Sequence, residues 1–120
     1  EIFSVKDIIP SAGQGVISLQ CNEDDDEIVS LLKKINHIKT HQRATAERNV
    51  LKVLEGDCET AVGAHAIVEE NKITLEAELF SLDGTERFYE KRTSEIENAE
   101  ALGTDIGQIL KLKSKNSYKK

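Results

Sequence analysis

The apolar positions of the chain follow two rhythms, one after another. From Val16 to Cys21 they alternate, with Ile17, Leu19 and Cys21 on one face, and this predicts a strand; Pro10-Ser11-Ala12-Gly13-Gln14-Gly15 before it predicts a tight, flexible connection. Ile28, Leu31, Leu32 and Ile35 then recur at helical spacing behind Asp24, Asp25 and Asp26, which favour a helix N-terminus, and Asn36-His37 ends the run. A strand and a helix with an apolar stripe but no sheet to cover have the look of the edge of another domain.

From Ile38 the pattern becomes self-sufficient. Thr40 is placed to cap a second helix that runs through Ala46, Val50, Val53 and Leu54 and stops at Gly56, a common residue just past a helix end. Val62, Ala64, Ala66 and Val68 alternate as a strand, Glu69-Glu70-Asn71-Lys72 turns, and Ile73, Leu75, Ala77 and Leu79 alternate as another. Asp83-Gly84 reverses the chain into a third, less apolar strand from Glu86 to Arg92, suited to a sheet edge. Ser94 with Glu97 reads as a capping box before a closing helix whose buried stripe is Ala99, Leu102, Ile106, Ile109 and Leu110. The order α-β-β-β-α predicts an α+β fold, a three-stranded antiparallel sheet with the helices packed on one face, preceded by a strand-helix remnant of an α/β domain. Residues 1–37 would form that remnant and residues 38–120 the domain proper.

Composition narrows the class. A chain of 120 residues, 38% hydrophobic and 32% charged, fits one soluble domain with a modest core. No apolar run approaches the roughly 18 residues that cross a bilayer, and no signal-peptide pattern opens the chain, so a cytoplasmic protein with no membrane partner is expected. Two cysteines do not make a disulfide scaffold, so both are expected as reduced thiols. Methionine is absent, which points to part of a longer protein.

Charge is divided unevenly. Lys111, Lys113, Lys115, Lys119 and Lys120 close the chain without an acid, leaving 11 basic against 22 acidic residues before them. The closing lysines read as a solvated, frayed helix end. Double-stranded RNA-binding domains share the topology, but they need lysines where this chain has Ser94-Glu95-Ile96-Glu97-Asn98-Ala99-Glu100, so no nucleic-acid partner is expected.

Few residues carry candidate chemistry. His37 and His41 stand four apart, as in zinc-binding helices, but Ile38 occupies the place of a general-base glutamate and a helix boundary falls between them, so two surface histidines are expected. His65 reads as a hydrogen-bonded or partly exposed histidine. Gly13-Gln14-Gly15 precedes a strand rather than a helix, the wrong context for a phosphate cradle. Cys21 ends a strand on its apolar face, where a thiol is a small hydrophobe. Cys58 instead follows a helix-ending glycine in Leu54-Glu55-Gly56-Asp57-Cys58-Glu59-Thr60, so its sulfur is placed to attack a carbon electrophile or carry a covalent group. Three flanking acids, Glu55, Asp57 and Glu59, raise a thiol's pKa and argue against a fast protease-like nucleophile. On the residues alone, a covalent attachment point and an idle surface cysteine both remain.

The stretch Glu47-Arg48-Asn49-Val50-Leu51-Lys52-Val53-Leu54-Glu55-Gly56-Asp57-Cys58 resembles the signature of the porphobilinogen deaminase (hydroxymethylbilane synthase) family, in which a helix beginning near Ala-Glu-Arg leads to a Leu-Glu-Gly-Gly-Cys loop. Pro10-Ser11-Ala12-Gly13-Gln14-Gly15-Val16 resembles that family's Val-Gly-Gln-Gly crossover, and Asn36-His37, Thr45-Ala46-Glu47-Arg48 and Ser81-Leu82-Asp83-Gly84 also stand where members have similar words. The resemblance covers nearly the whole chain and is weakest after about residue 95.

It implies a three-domain protein of which this chain holds the end of domain two (residues 1–9), the crossover at Gln14 and Gly15, a strand and helix returning to domain one, and the third, cofactor-carrying domain. It implies a transferase of porphyrin and heme biosynthesis that joins porphobilinogen units head to tail into the tetrapyrrole hydroxymethylbilane, with loss of ammonia. Cys58 would hold a dipyrromethane cofactor by a thioether, Gln14 and Gly15 would lie near it, and no metal is implied. The acid/base aspartate and substrate-binding arginines would lie in the missing N-terminal domains, so no catalytic residue is expected here and the chain alone is expected to be inactive. Arg48 is expected as a structural ion-pair partner. Asp57 and Ala61 depart from the family's usual Gly and Pro. The alternative is a non-catalytic α+β binding module with an unused surface cysteine.

Overall fold

The computed structural model describes residues 2–55 and 60–120. Helices α1 (Asp26–Ile35) and α2 (Ile38–Leu54) precede strands β1 (Val62–Glu69), β2 (Lys72–Phe80) and β3 (Arg87–Glu95), and a 3-10 turn (Ile96–Asn98) leads into helix α3 (Ala99–Ser114). The strands form one antiparallel sheet in the order β1-β2-β3, with Glu69 facing Lys72 and Phe80 facing Arg87 across the two hairpins. Glu70 takes a left-handed φ of 53° at the first turn. At the second, Gly84 does so and the Asp83 carboxylate accepts hydrogen bonds from Ser81 Oγ, Thr85 N and Thr85 Oγ1. This is the α+β, α-β-β-β-α architecture the alternation predicts.

Ala64, Ala66, Ile73, Leu75, Ala77 and Leu79 line one sheet face and meet Ala46, Val50 and Leu54 of α2 and Leu102, Ile106 and Leu110 of α3 in a single core. The two helices run in the same direction and touch through glycine. Gly103 sits against Ala46 and Asn49, and Gly107 against Val50 and Val53, with no room for a Cβ at Gly103 against the Ala46 carbonyl. Counting only apolar side chains passes over these two glycines, which set how closely α2 and α3 approach.

Several local expectations are corrected. Val16–Cys21 forms no strand, because among the described residues no other segment offers it a backbone ladder. The α2 cap is His37, whose Nδ1 accepts from Thr40 N at 3.2 Å, rather than Thr40. Ser94 is spent in β3 opposite Ile73, so no capping box forms, and Asn98 begins α3 without a side-chain cap. Gly56 lies outside the described residues, and it is Glu55 that takes the left-handed conformation at the end of α2, with φ 54°.

The closing lysines are no frayed end. Lys115 and Asn116 adopt positive φ, the chain turns back, and Tyr118 is 1% exposed in the core. Among the described residues no helix is long and apolar enough to cross a membrane.

The first part of the chain is fastened around residues 9–13. Ile9 is buried against Gly63, whose missing Cβ would stand 2.6 Å from the Ile9 carbonyl oxygen, and Ala64 N donates to Pro10 O at 2.9 Å. Asp25 caps α1 by accepting from Ile28 N, yet α1 buries none of its residues.

Candidate functional site

Cys58 and its neighbours Gly56, Asp57 and Glu59 lie outside the described residues, so the site is seen through the frame that leads into and out of them. A helix ends with carbonyls that have no partner of their own. At the end of α2 these are satisfied from the far end of the chain: Tyr118 Oη donates to Leu54 O at 2.9 Å and Lys111 Nζ to Val53 O at 3.4 Å. The Glu55 carboxylate meets Lys119 Nζ at 3.2 Å and Lys111 Nζ at 3.3 Å. Hydrogen bonds from Lys119 and then Lys111 hold its carboxyl below the usual carboxylate range. On the exit side, Phe80 N donates to Ala61 O at 3.0 Å, tying the segment after Cys58 to the end of β2.

The crossover turn is built on two glycines with φ of +74°, Gly13 and Gly15, and is closed by Gln14 N to Ser11 O and Val16 N to Gly13 O. Gln14 and Gly15 are exposed. It is Gly13 that the fold engages: Glu47, only 4% exposed, accepts from Gly13 N through one carboxylate oxygen and from Ala66 N through the other, each at 2.8 Å. Arg43 Nε donates to Ala66 O at 2.6 Å beside it. A single side chain thus joins the crossover, α2 and β1. The signal available in the sequence was an acid next to Ala46 on the inward face of a helix.

An open groove of ≈ 1370 Å³ runs between residues 12–36 and α2, past Gly13, Cys21, Arg48 and Lys52 to Glu55. Arg48 is exposed on α2 and makes no ion pair among the described residues, which corrects its expected structural role. Cys21 is half-buried in the same groove and belongs to no strand. His37 caps α2 and also hydrogen-bonds Thr40 Oγ1 at 2.7 Å. His65 shares a small cleft with His37, Lys39 and Arg43, and His41 is exposed. Among the described residues no three metal-ligating side chains converge.

Known proteins resemble the chain along the same lines. The family model of the porphobilinogen deaminase C-terminal domain matches residues 41–112. The porphobilinogen deaminase of Desulforamulus reducens is 40% identical over 110 residues, covering 92% of this chain and 36% of that protein. Those of Coxiella burnetii, 41% identical over 108 residues, and Syntrophobacter fumaroxidans, 36% over 104, align over 90% and 87% of the chain and over 35% and 34% of their own lengths. The chain therefore spans about a third of the curated relatives it matches.

Proposed function

Because the chain belongs to the porphobilinogen deaminase family, through that family's C-terminal domain, we propose that it is the cofactor-carrying part of an enzyme that condenses porphobilinogen into hydroxymethylbilane. Cys58 is the attachment point. The observation that carries the reading is the helix α2 word ending Leu54-Glu55-Gly56-Asp57-Cys58 within the matched residues.

The thiol suits the task. Loss of ammonia from an aminomethylpyrrole leaves an electron-poor exocyclic methylene; the soft sulfur of Cys58 adds to that carbon, giving up its proton and forming a hydrolysis-resistant C–S bond. Once in place, a dipyrromethane supplies the primer on which further pyrrole units are added before water releases the tetrapyrrole. The frame fits a group bearing carboxylates. The groove that reaches Glu55 presents Arg48 and Lys52, neither of them paired with an acid among the described residues, and Glu55 itself is offset by two lysines. The chain's own part would be to carry the thiol three residues beyond Glu55, while Glu47 ties the crossover turn, through Gly13, to α2.

The acid/base and substrate-binding groups belong to the remaining two thirds of the enzyme, the N-terminal domains for which residues 1–37 are the connecting remnant. Residues 38–120 alone, or the whole chain alone, turn over no porphobilinogen. The test is intact-mass measurement of the complete protein and of its Cys58→Ser variant. The expected result is a dipyrromethane adduct on Cys58 in the first and none in the second, with Cys21→Ser keeping the adduct. A wild-type protein that never acquires the adduct is instead the non-catalytic module with an unused cysteine.

A further inference from the structure

The outer edge of strand β1 is sealed by groups that belong to no strand. Ala64 N donates to Pro10 O, Ala66 N donates to the Glu47 carboxylate, and Ala66 O accepts from Arg43 Nε at 2.6 Å. Backbone groups of alternate residues turn to the same edge, so Val68 comes next, and among the described residues nothing seals it. What opens there is a cleft of ≈ 250 Å³ between the start of α2 and the edge of β1, with His37, Lys39 and Arg43 on the helix wall and His65 and Val68 on the strand wall. The chain carries 22 acidic against 16 basic residues, yet none of the described residues that line this cleft is acidic.

The donors in the cleft are free to act. Arg43 spends only Nε on Ala66 O, which holds the guanidinium in place and leaves its two terminal NH2 groups unspent. His37 accepts from Thr40 N at Nδ1, so its ring proton sits on Nε2. Lys39 and His65 hold no hydrogen bond or ion pair among the described residues. The nearby acids are engaged elsewhere or lie past the cleft: Glu47 accepts from Gly13 N and Ala66 N, Glu76, opposite His65 on β2, meets Tyr89 Oη and Lys91, and Glu69 and Glu70 follow Val68 without lining it. The volume is below the roughly 300–1,000 Å³ that encloses a drug-sized ligand, so the occupant is small. Donors on two walls suit a tetrahedral oxyanion, whose oxygens point in every direction, better than the flat fork of a carboxylate. We propose that this cleft binds a phosphate group, as the free ion or as the end of a small phosphate ester, and that the bound group bridges the start of α2 and the edge of β1. Lys39 and Arg43 meet its charge, and His37 Nε2 and the His65 ring donate to its oxygens. The site is separate from Cys58 and does not rest on the reading of that residue.

The test uses the complete protein and reads Lys39 itself, so that phosphate bound at any other place does not count. N-acetoxysuccinimide is the reagent, and the rate of acetylation at Lys39 is divided, by peptide mass, by the rate at Lys34, which is exposed on α1 and outside the cleft. Against chloride of the same ionic strength, inorganic phosphate is expected to lower that ratio about threefold once about two-thirds of the sites are filled. Glycerol phosphate is the second arm. Protection by it as well assigns the cleft to a phosphate ester, protection by inorganic phosphate alone assigns it to the free ion, and either supports the site. Arg43→Gln is expected to raise the phosphate concentration at half-protection about tenfold. Should that variant fail to fold, His65→Ala, which breaks no hydrogen bond among the described residues, is expected to raise it about threefold. A ratio that phosphate leaves unchanged, equal protection by acetate, or a half-protection point that stays put in the folded variants overturns the proposal.

Discussion

Residues 2–37 and the domain from Ile38 onward treat their apolar side chains in opposite ways. α1 carries a clean stripe of Ile28, Leu31, Leu32 and Ile35, of which only Leu32 is half-buried and the rest are exposed, and Ile17 ahead of it is 90% exposed. α2 is far more polar to read, yet it buries Ala46, Val50 and Leu54 completely and even the carboxylate side chain of Glu47. The difference lies in what faces each helix. α2 has a sheet on one side and the glycine face of α3 on the other, so small residues suffice for close packing. Among the described residues α1 meets only the open groove beside α2 and buries none of its side chains, and each large side chain left in water forfeits about 1.5–3 kcal/mol. An amphipathic pattern states which face needs cover, and says nothing of whether the cover is present.

The sharpest way to break this comparison is to make the same change in both regions. Leu75→Ala, in the middle of β2, is expected to lower the stability of the domain by about 2–5 kcal/mol through loss of burial and the cavity left behind. Leu31→Ala, in α1, is expected to change it by less than about 0.5 kcal/mol. Urea unfolding of the two variants measures both, and equal losses would mean that α1 packs as tightly as the core.

Next in size is the helix contact. Gly103→Ala forces a methyl group onto the Ala46 carbonyl and must separate α2 from α3, with an expected loss of about 3 kcal/mol. Ala101→Gly, on the exposed face of the same helix, is expected to lose only the usual helix-propensity cost of about 1 kcal/mol. Thermal melts of the two variants, each compared with wild type, check the order.

Glu47 links the two regions and is expected to weaken both its ties when neutralised. In Glu47→Gln one oxygen is replaced by an NH2 that faces a backbone N–H, so either Gly13 N or Ala66 N loses its acceptor, at about 1–3 kcal/mol. Limited proteolysis of this chain is expected to cut within residues 2–37 while sparing 40–110, and the variant is expected to be cut faster between residues 10 and 20. Cuts that begin within 40–110 in the wild type would reverse the assignment of the stable part.

The smallest effect is electrostatic and confined to the domain. Hydrogen bonds from Ser81 and Thr85 bring the Asp83 carboxyl from 3.8 down to about 2. A carboxyl with a depressed folded-state pKa stabilises above its unfolded value and loses that contribution as pH falls towards the folded one. The melting temperatures of wild type and Asp83→Asn should therefore differ near neutral pH and converge as pH falls from about 4 to about 2. A gap that persists at the lowest pH would mean that the turn is held by shape and not by the carboxylate.

Much of this protein is legible in the order of its amino acids alone. Alternation along Val62–Val68 and Ile73–Leu79, with a turn at Glu69–Lys72 and another at Asp83-Gly84, determines the three strands, because a period of two places one set of side chains on one face whatever surrounds them. The same local logic determines α1, its Asp25 cap and the word around Cys58. What the sequence could not decide were the events that join distant positions. Val16–Cys21 has the alternation of a strand, but a strand exists only when a second backbone satisfies its N–H and C=O groups. Ser94 and Glu97 spell a capping box, but pairing with Ile73 takes Ser94 into β3 first. Tyr118 lies among lysines that read as a solvated end, and it is buried because the chain turns at Lys115 and Asn116 and carries the ring to the end of α2. Glu47, Gly103 and Tyr118 take their roles from partners roughly 20 to 60 residues away. No local periodicity encodes such distances, since only the packed fold brings a carbonyl, a helix face and a hydroxyl to the same point.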